Sequence, residues 1–122
     1  AKAECLIATG GSQADISAAY LEGIKSSFAE LGLSDSDYST YIAQANVSPS
    51  TIGLTEVMTQ KWFALYANPE SFTDWRITNI PSLTPNNGVA IPTRWLYPQS
   101  ETELNPNTPN AVLTDKVDWD TN

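Results

Sequence analysis

The sequence contains no histidine among its 122 residues. This absence removes the commonest general base, the commonest zinc ligand, and the serine and cysteine nucleophiles that depend on histidine. Cys5 is the single cysteine, so no cysteine pair can hold zinc, and no glycine-rich phosphate loop is present. Two carboxylates suffice for glycoside hydrolysis, but a pair drawn from 14 acidic residues has almost no specificity. We predict no catalytic residue, no metal ligand and no cofactor, and a carboxylate-dependent glycosidase stays open as an alternative.

Positive charge is also scarce: the sequence has six basic and 14 acidic residues, and its net charge is -8. The basic residues are scattered along the chain: Lys2, Lys25, Lys61, Arg76, Arg94 and Lys116. Nucleic acids require a clustered positive surface, and anionic membrane faces attract basic segments. We therefore expect neither as a partner. The acidic balance favours a solvated protein whose ligand is neutral.

No apolar run approaches the roughly 18 residues that a membrane-spanning helix requires. The lone Cys5 cannot form an intrachain disulfide, and its helical context predicts a small buried hydrophobe. A lipid-modified cysteine requires a basic and an apolar segment upstream, and only four residues precede Cys5. Residue 1 is not Met, and the first helical residues lack an N-cap. The sequence is typical of a fragment or a processed chain.

One partial metal motif lies near the last residue. Asp118, Asp120 and Asn122 match the first three ligand positions of a calcium loop. The glycine and the bidentate glutamate that complete such a loop do not follow in the sequence. We assign no metal-binding residue here.

Two helices open the chain. The first runs to about Thr9 and ends at Gly10-Gly11; the second has Ser12 as its N-cap and ends at Gly32. The second helix carries one apolar stripe at helical spacing, formed by Ile16, Ala19, Tyr20, Gly23, Ile24, Ser27, Phe28 and Leu31. Such a stripe must pack on a neighbour. We expect an antiparallel helical hairpin with the first helix.

Three further helices are predicted. One follows Ser34 and ends before Pro49, with an apolar side formed by Tyr38, Tyr41, Ile42 and Ala45. The next runs from Ser50 or Thr51 to about Tyr66. Its main apolar face contains Leu54, Val57, Met58, Trp62 and Leu65, while Ile52, Phe63 and Tyr66 lie off that face, which predicts a central helix. Asn68-Pro69-Glu70 predicts the start of a fifth helix that ends at about Thr78.

Regular structure thins out after this point, because prolines punctuate the remaining residues. Residues 89–91 and 94–97 are candidates for short extended pieces, and no regular element is predicted for residues 98–122. The predicted fold class is mainly α, with helical hairpins and a long irregular or extended C-terminal segment. We expect residues 1–122 to form a single unit that is helical over 1–78 and extended or loop-rich over 79–122.

Aromatic side chains make up 10% of the chain. Sugars stack their apolar C–H faces on aromatic rings, while their hydroxyls need polar partners. Trp62 and Trp75 lie on helix faces and are expected in the core. Trp95, Tyr97 and Trp119 lie in extended or loop segments and are the better platform candidates. No ligand-binding residue is assigned from these features.

Several stretches together resemble the C-terminal part of the SusD/RagB family of Bacteroidetes outer-membrane lipoproteins. They are KAE at 2–4, YLEGIKSSF at 20–28, TQKWFALY at 59–66, DWR at 74–76, IPTRWLYPQSE at 91–101 and NPN at 105–107. The resemblance implies a tetratricopeptide-containing helical protein, lipid-anchored through a missing N-terminal region and exposed on the cell surface.

The family resemblance also implies a function and partners. Such proteins capture glycans or other nutrients without catalysis and deliver them to a SusC-like TonB-dependent transporter. The expected partners are therefore that transporter, an oligosaccharide and the remainder of the parent chain. A helical scaffold that binds only protein is the other alternative. Within the DWR stretch we predict that Asp74 and Arg76 form charge-assisted hydrogen bonds that hold the Ile80-Pro81 loop, which is a scaffold role.

Overall fold

A computed structural model describes residues 1–86, 88–118 and 120. The described residues contain six helices and no β-strand: α1 (Lys2–Ala8), α2 (Gln13–Glu30), α3 (Asp35–Ile42), α4 (Leu54–Ala64), α5 (Pro69–Thr78) and α6 (Gln99–Leu104). The predicted mainly α fold is confirmed. The extended pieces expected at 89–91 and 94–97 form no strand.

Glycine ends the first two helices for the same physical reason. Gly10 and Gly32 each have φ of 71°, in the left-handed region that other residues adopt only with strain. At the end of α1, the N–H of Gly11 donates to the Leu6 carbonyl at 2.7 Å, and the equivalent bond after α2 joins Leu33 to Phe28 at 2.9 Å. This pattern is the Schellman motif. It turns the chain so that α1 packs against α2, as predicted.

Side-chain caps fix the starts of three helices. The Ser12 side chain accepts from the Asp15 N–H, and Ser34 and Asp37 form a reciprocal capping box at α3. Asn68 caps α5, which has Pro69 at its first position. These predicted starts are confirmed.

The predicted start of the fourth helix at Ser50 or Thr51 is wrong. The helix begins at Leu54 after the N-cap residue Gly53, whose N–H donates to the Glu56 carboxylate at 2.8 Å. Ile52 lies ahead of the helix and is buried in the core. The helix therefore starts later than helix propensity alone indicates, because Ile52 is buried in the segment that precedes it.

The core lies where α2 meets α1, α3 and α4, and α4 also packs against α1 and α5. Its buried members are Ala3, Ile16, Ala19, Tyr20, Ile24, Val47, Ile52 and Val57. Phe28 of α2 meets two rings of α3, Tyr38 at 6.0 Å and Tyr41 at 5.3 Å between ring centroids. The central position predicted for the fourth helix agrees with its three helical neighbours.

Two side chains predicted to pack on a neighbour are exposed. Cys5 is exposed on α1, so it is not the buried hydrophobe that was predicted. Leu31 ends the α2 stripe but is 71% exposed. Phe63 and Tyr66, which the sequence placed off the main apolar face of the fourth helix, are 60% and 90% exposed.

The C-terminal segment contains one helix that was not predicted, α6. It has six residues, and its N-cap position is Pro98, whose side chain makes no capping bond. A helix this short carries no periodic apolar stripe, and this one has no polar cap. No helix of the described part of the chain combines the length and the apolar character that crossing a membrane requires.

Candidate functional site

Three charged residues from the stretches that resemble the family, Glu4, Lys61 and Asp74, meet between three helices. We call this cluster the Lys61 junction. Lys61 of α4 places its Nζ 2.8 Å from Asp74 Oδ2 of α5 and 3.3 Å from Glu4 Oε2 of α1. Asp74 therefore pairs with Lys61 of another helix. The predicted hold of Asp74 and Arg76 on the Ile80-Pro81 loop stays a prediction.

The electrostatics of this junction favour the ionised forms. Burial alone would lower the pKa of Lys61, but the hydrogen bond to Asp74 and the charge of Glu4 outweigh burial, so the pKa is raised. Burial opposes ionisation of the Glu4 carboxyl, whereas the charge of Lys61 and its hydrogen bond favour the carboxylate and act to lower the Glu4 pKa. All three side chains are mainly covered. The Lys61 junction therefore fastens three helices together.

Arg76 reaches the far end of the described chain. Its Nε lies 3.5 Å from Asp120 Oδ2, and the two side chains are only 10% and 3% exposed. The guanidinium also lies 5.3 Å from the ring of Phe72, which stacks on Trp75 at 6.1 Å. Trp75 is 8% exposed, so its predicted place in the core is confirmed.

Only part of the partial calcium motif lies within the described residues. Asp120 turns its carboxylate toward Arg76, and Asn122 lies outside the described residues. Within residues 1–86, 88–118 and 120 no three His, Cys, Asp or Glu side chains are grouped as metal ligands. The Asp120 carboxylate is therefore paired with the positively charged side chain of Arg76.

A first cavity, of about 610 Å³, is an apolar groove along α2 and α4. Its lining includes the exposed side chains of Leu31, Leu33 and Phe63, together with Tyr41 and Ala64. The hydroxyl of Tyr41 is already used, since it donates to Gln60 Oε1 at 2.9 Å. The groove offers much apolar surface and few free polar groups, which suits apolar side chains better than sugars.

A second cavity, of about 430 Å³, lies in the C-terminal segment. We call it the C-terminal pocket; its described lining residues are Leu96, Tyr97, Gln99, Thr102, Thr108, Pro109, Asn110 and Ala111. These described residues combine an aromatic ring with amides and hydroxyls, and none of them is charged. This combination is the one that sugar recognition requires.

Hydrogen bonds between distant residues shape the C-terminal pocket. The N–H groups of Thr93 and Arg94 donate to the Leu113 carbonyl at 2.8 and 3.3 Å. On the other side, the Thr108 hydroxyl donates to the Glu101 carbonyl at the middle of α6, at 2.8 Å. The segment after α6 thus folds back along the helix and beside residues 93–94.

The predicted aromatic platforms are found in different surroundings. Tyr97 lines the C-terminal pocket and is 38% exposed, while Trp95 is 84% exposed two residues earlier. Trp119 lies outside the described residues. Trp62, predicted in the core, is half-buried.

The polar residues of the C-terminal pocket were missed from the sequence. Gln99, Thr102 and Asn110 belong to no motif, and each is a common residue type in loops and short helices. Only the folding of residues 105–111 back onto α6 brings them together. The resemblance pointed to residues 91–101, but no signal singled out Asn110.

Comparisons with known proteins support the resemblance at the level of the family. A SusD-like family model, described as starch-binding associating with outer membrane, matches residues 1–98. Searches of curated proteins and of solved structures found no match. The matched range covers all five helices of the packed core and the first residues of the C-terminal pocket. The chain therefore belongs to this SusD-like family of starch-binding proteins that associate with the outer membrane.

Proposed function

We propose that the chain serves in the non-catalytic capture of oligosaccharides at the cell surface and in their delivery to a SusC-like TonB-dependent transporter. The observation that carries this proposal is the family match over residues 1–98, whose description names starch binding and the outer membrane. The same match favours a binding protein over a glycosidase. A lipid anchor supplied by a segment upstream of residue 1 would hold the protein on the outer membrane.

The charges of the chain are compatible with a neutral glycan. The net charge of -8 repels anionic polymers, whereas a neutral sugar is indifferent to it. The C-terminal pocket supplies a ring and uncharged polar groups. A sugar face that removes about 100 Å² from water gains roughly 2.5 kcal/mol before the costs of binding. Few such contacts give weak binding, which suits capture followed by release.

We further propose that residues 1–122 form one unit within a longer SusD-like protein, as its C-terminal part. In this unit the helices over 1–78 act as the scaffold, and the mainly irregular segment over 79–122 is attached to them through the Arg76–Asp120 pair. Two sets of contacts support this division. The Lys61 junction joins helices to one another, and the Arg76–Asp120 pair joins the C-terminal segment to the helices.

The experiment uses the full-length gene product and starch-derived malto-oligosaccharides. We expect calorimetric binding with a Kd on the order of 10 µM to 1 mM, no change in glycan length after prolonged incubation, and co-purification of the transporter from outer membranes. Shortened glycans would overturn the non-catalytic function in favour of a glycosidase. Co-purification of the transporter without any glycan binding would replace it with a protein-binding scaffold.

A further inference from the structure

We propose that the C-terminal pocket is an oligosaccharide-binding subsite for neutral sugar residues, with Tyr97 as the stacking platform and Gln99, Thr102 and Asn110 as hydroxyl partners. This inference rests on the proposed function and deepens it, because it assigns the ligand to particular residues. The family match ends at residue 98, so most of these residues lie beyond the matched range.

The size and the composition of the pocket are the first support. Its volume of about 430 Å³ lies within the ~300–1,000 Å³ typical of small-molecule sites. Leu96, Tyr97 and Pro109 supply apolar surface, and four polar side chains lie around the same cavity: Gln99, Thr102, Thr108 and Asn110. A sugar residue needs both kinds of contact at once.

The hydrogen-bonding state of the polar side chains is the second support. Gln99 Nε2 donates to Glu103 Oε1 at 2.6 Å, which orients the amide and leaves its carbonyl oxygen as an acceptor. The Thr102 hydroxyl donates to the Gln99 backbone carbonyl at 2.9 Å and keeps its lone pairs. The Asn110 amide makes no hydrogen bond with any residue that the structure describes. Acceptors and a donor are therefore available to sugar hydroxyls.

The rigidity of the site is the third support. The Arg94 guanidinium lies 5.2 Å from the centroid of the Tyr97 ring, a cation–π contact that favours this position of the ring. Behind it, the Thr93 hydroxyl donates to the Asp115 carbonyl at 3.0 Å, and the Val112 N–H donates to Asp115 Oδ2 at 2.8 Å. A pocket ordered in advance pays less conformational entropy on binding.

Charge restricts the class of ligand. The described lining residues of the pocket are uncharged. Glu103, which accepts from the Gln99 amide, and Glu101 on the same helix outnumber the Arg94 guanidinium beside the Tyr97 ring, so uronic acids and other anionic sugars are disfavoured. We therefore assign the pocket to neutral hexose units.

The test measures malto-oligosaccharide binding to the full-length gene product by calorimetry. Tyr97→Ala is expected to weaken binding about tenfold or more through loss of the stacked ring. Asn110→Ala should weaken it severalfold, and Tyr97→Phe should retain most of the affinity because the ring remains. Tyr66→Ala removes a tyrosine that is 90% exposed outside the pocket, and it should bind as the wild type does.

The outcomes separate the subsite from the function. If the wild type binds malto-oligosaccharides while Tyr97→Ala and Asn110→Ala bind equally well, the subsite is overturned and the capture function stands. If the wild type binds none of them, the capture function and the subsite fall together. If Tyr97→Ala unfolds, as circular dichroism would reveal, Asn110→Ala decides alone, since it removes only a surface amide.

Discussion

At the Lys61 junction one side chain neutralises two carboxylates on different helices. Lys61→Met keeps the aliphatic length but removes the charge between Glu4 and Asp74. We expect the free energy of unfolding at pH 7 to fall by about 1–3 kcal/mol, because the carboxylates keep their partial burial and lose their cation. Chemical denaturation of the variant and the wild type measures this difference.

The matched control for this variant is Lys25→Met. Lys25 also pairs with a carboxylate, Asp35 at 3.6 Å, but both side chains are mostly exposed, so the expected change is small. The charge and hydrogen bond of Lys61 act to lower the Glu4 pKa, so this pairing contributes at neutral pH and is lost as Glu4 takes up a proton in acid. The deficit of Lys61→Met should therefore shrink in acid. A deficit equal to that of Lys25→Met would contradict a fastening role.

Tyr20 gives the chain an alkaline sensitivity. Its hydroxyl donates to the Val47 carbonyl at 2.5 Å, and burial, with smaller contributions from Tyr41 and Glu56, raises its pKa from 10 to about 12. Above pH 10 the unfolded chain releases the phenol proton while the folded chain retains it, so stability falls as the pH rises from 10 to 12. The loss reaches about 3 kcal/mol for a shift of this size.

The variant Tyr20→Phe isolates this contribution. It should be less stable at pH 7 by about 1–3 kcal/mol, because the buried Val47 carbonyl loses its donor. Its stability should nevertheless decline less between pH 10 and 12 than that of the wild type. Because the pKa of Lys61 is also raised, both the variant and the wild type lose some stability at alkaline pH from this side chain. Parallel pH profiles for the two proteins would rule out the assignment to Tyr20.

Among the elements, the short helix α3 begins with a reciprocal side-chain cap. It has eight residues, none of them fully buried, and its first turn is closed by Ser34 and Asp37. Replacing Ser34 with Ala should destabilise the chain by about 1 kcal/mol through loss of the cap. Ser36→Ala, in the same exposed first turn, is the control and should be neutral or slightly stabilising. Thermal unfolding that ranked the two variants equally would contradict a role for the cap.

The helix limits that the sequence predicted correctly are those encoded locally. Ser12, Ser34 and Asn68 cap their helices, and Gly10 and Gly32 end theirs, because each of these signals involves residues only a few positions apart. Such signals need no knowledge of the tertiary structure. The order and the number of the first five helices could therefore be predicted from the sequence.

The features that the sequence could not predict depend on distant contacts. The α4 start follows from the burial of Ile52, and the partner of Asp74 is on another helix, 13 residues away. The C-terminal pocket requires Thr108 to fold back onto α6, and this helix has no periodic or capping signal. Tyr97 was reached through its loop position and aromatic ring, whereas Asn110 had no signal at all.

For the molecule as a whole, a few long-range contacts hold the C-terminal segment. The Arg76–Asp120 pair joins α5 to a residue 44 positions later, and the hydrogen bonds of Thr93 join the two sides of the C-terminal pocket. No element contact of α6 with the other helices is found in the described part of the chain. Attachment of this segment therefore depends on individual polar contacts more than on helix packing.

Asp120→Ala tests this dependence directly. Loss of a carboxylate that is 3% exposed and paired with Arg76 should weaken attachment enough to raise local opening roughly tenfold or more. Hydrogen–deuterium exchange of peptides covering residues 112–118 measures the opening, since the Asp115 N–H is bonded to the Val112 carbonyl there. Asp118→Ala removes an exposed carboxylate two residues away and should exchange as the wild type does. Equal exchange in both variants would mean that the segment is held without the Arg76–Asp120 pair.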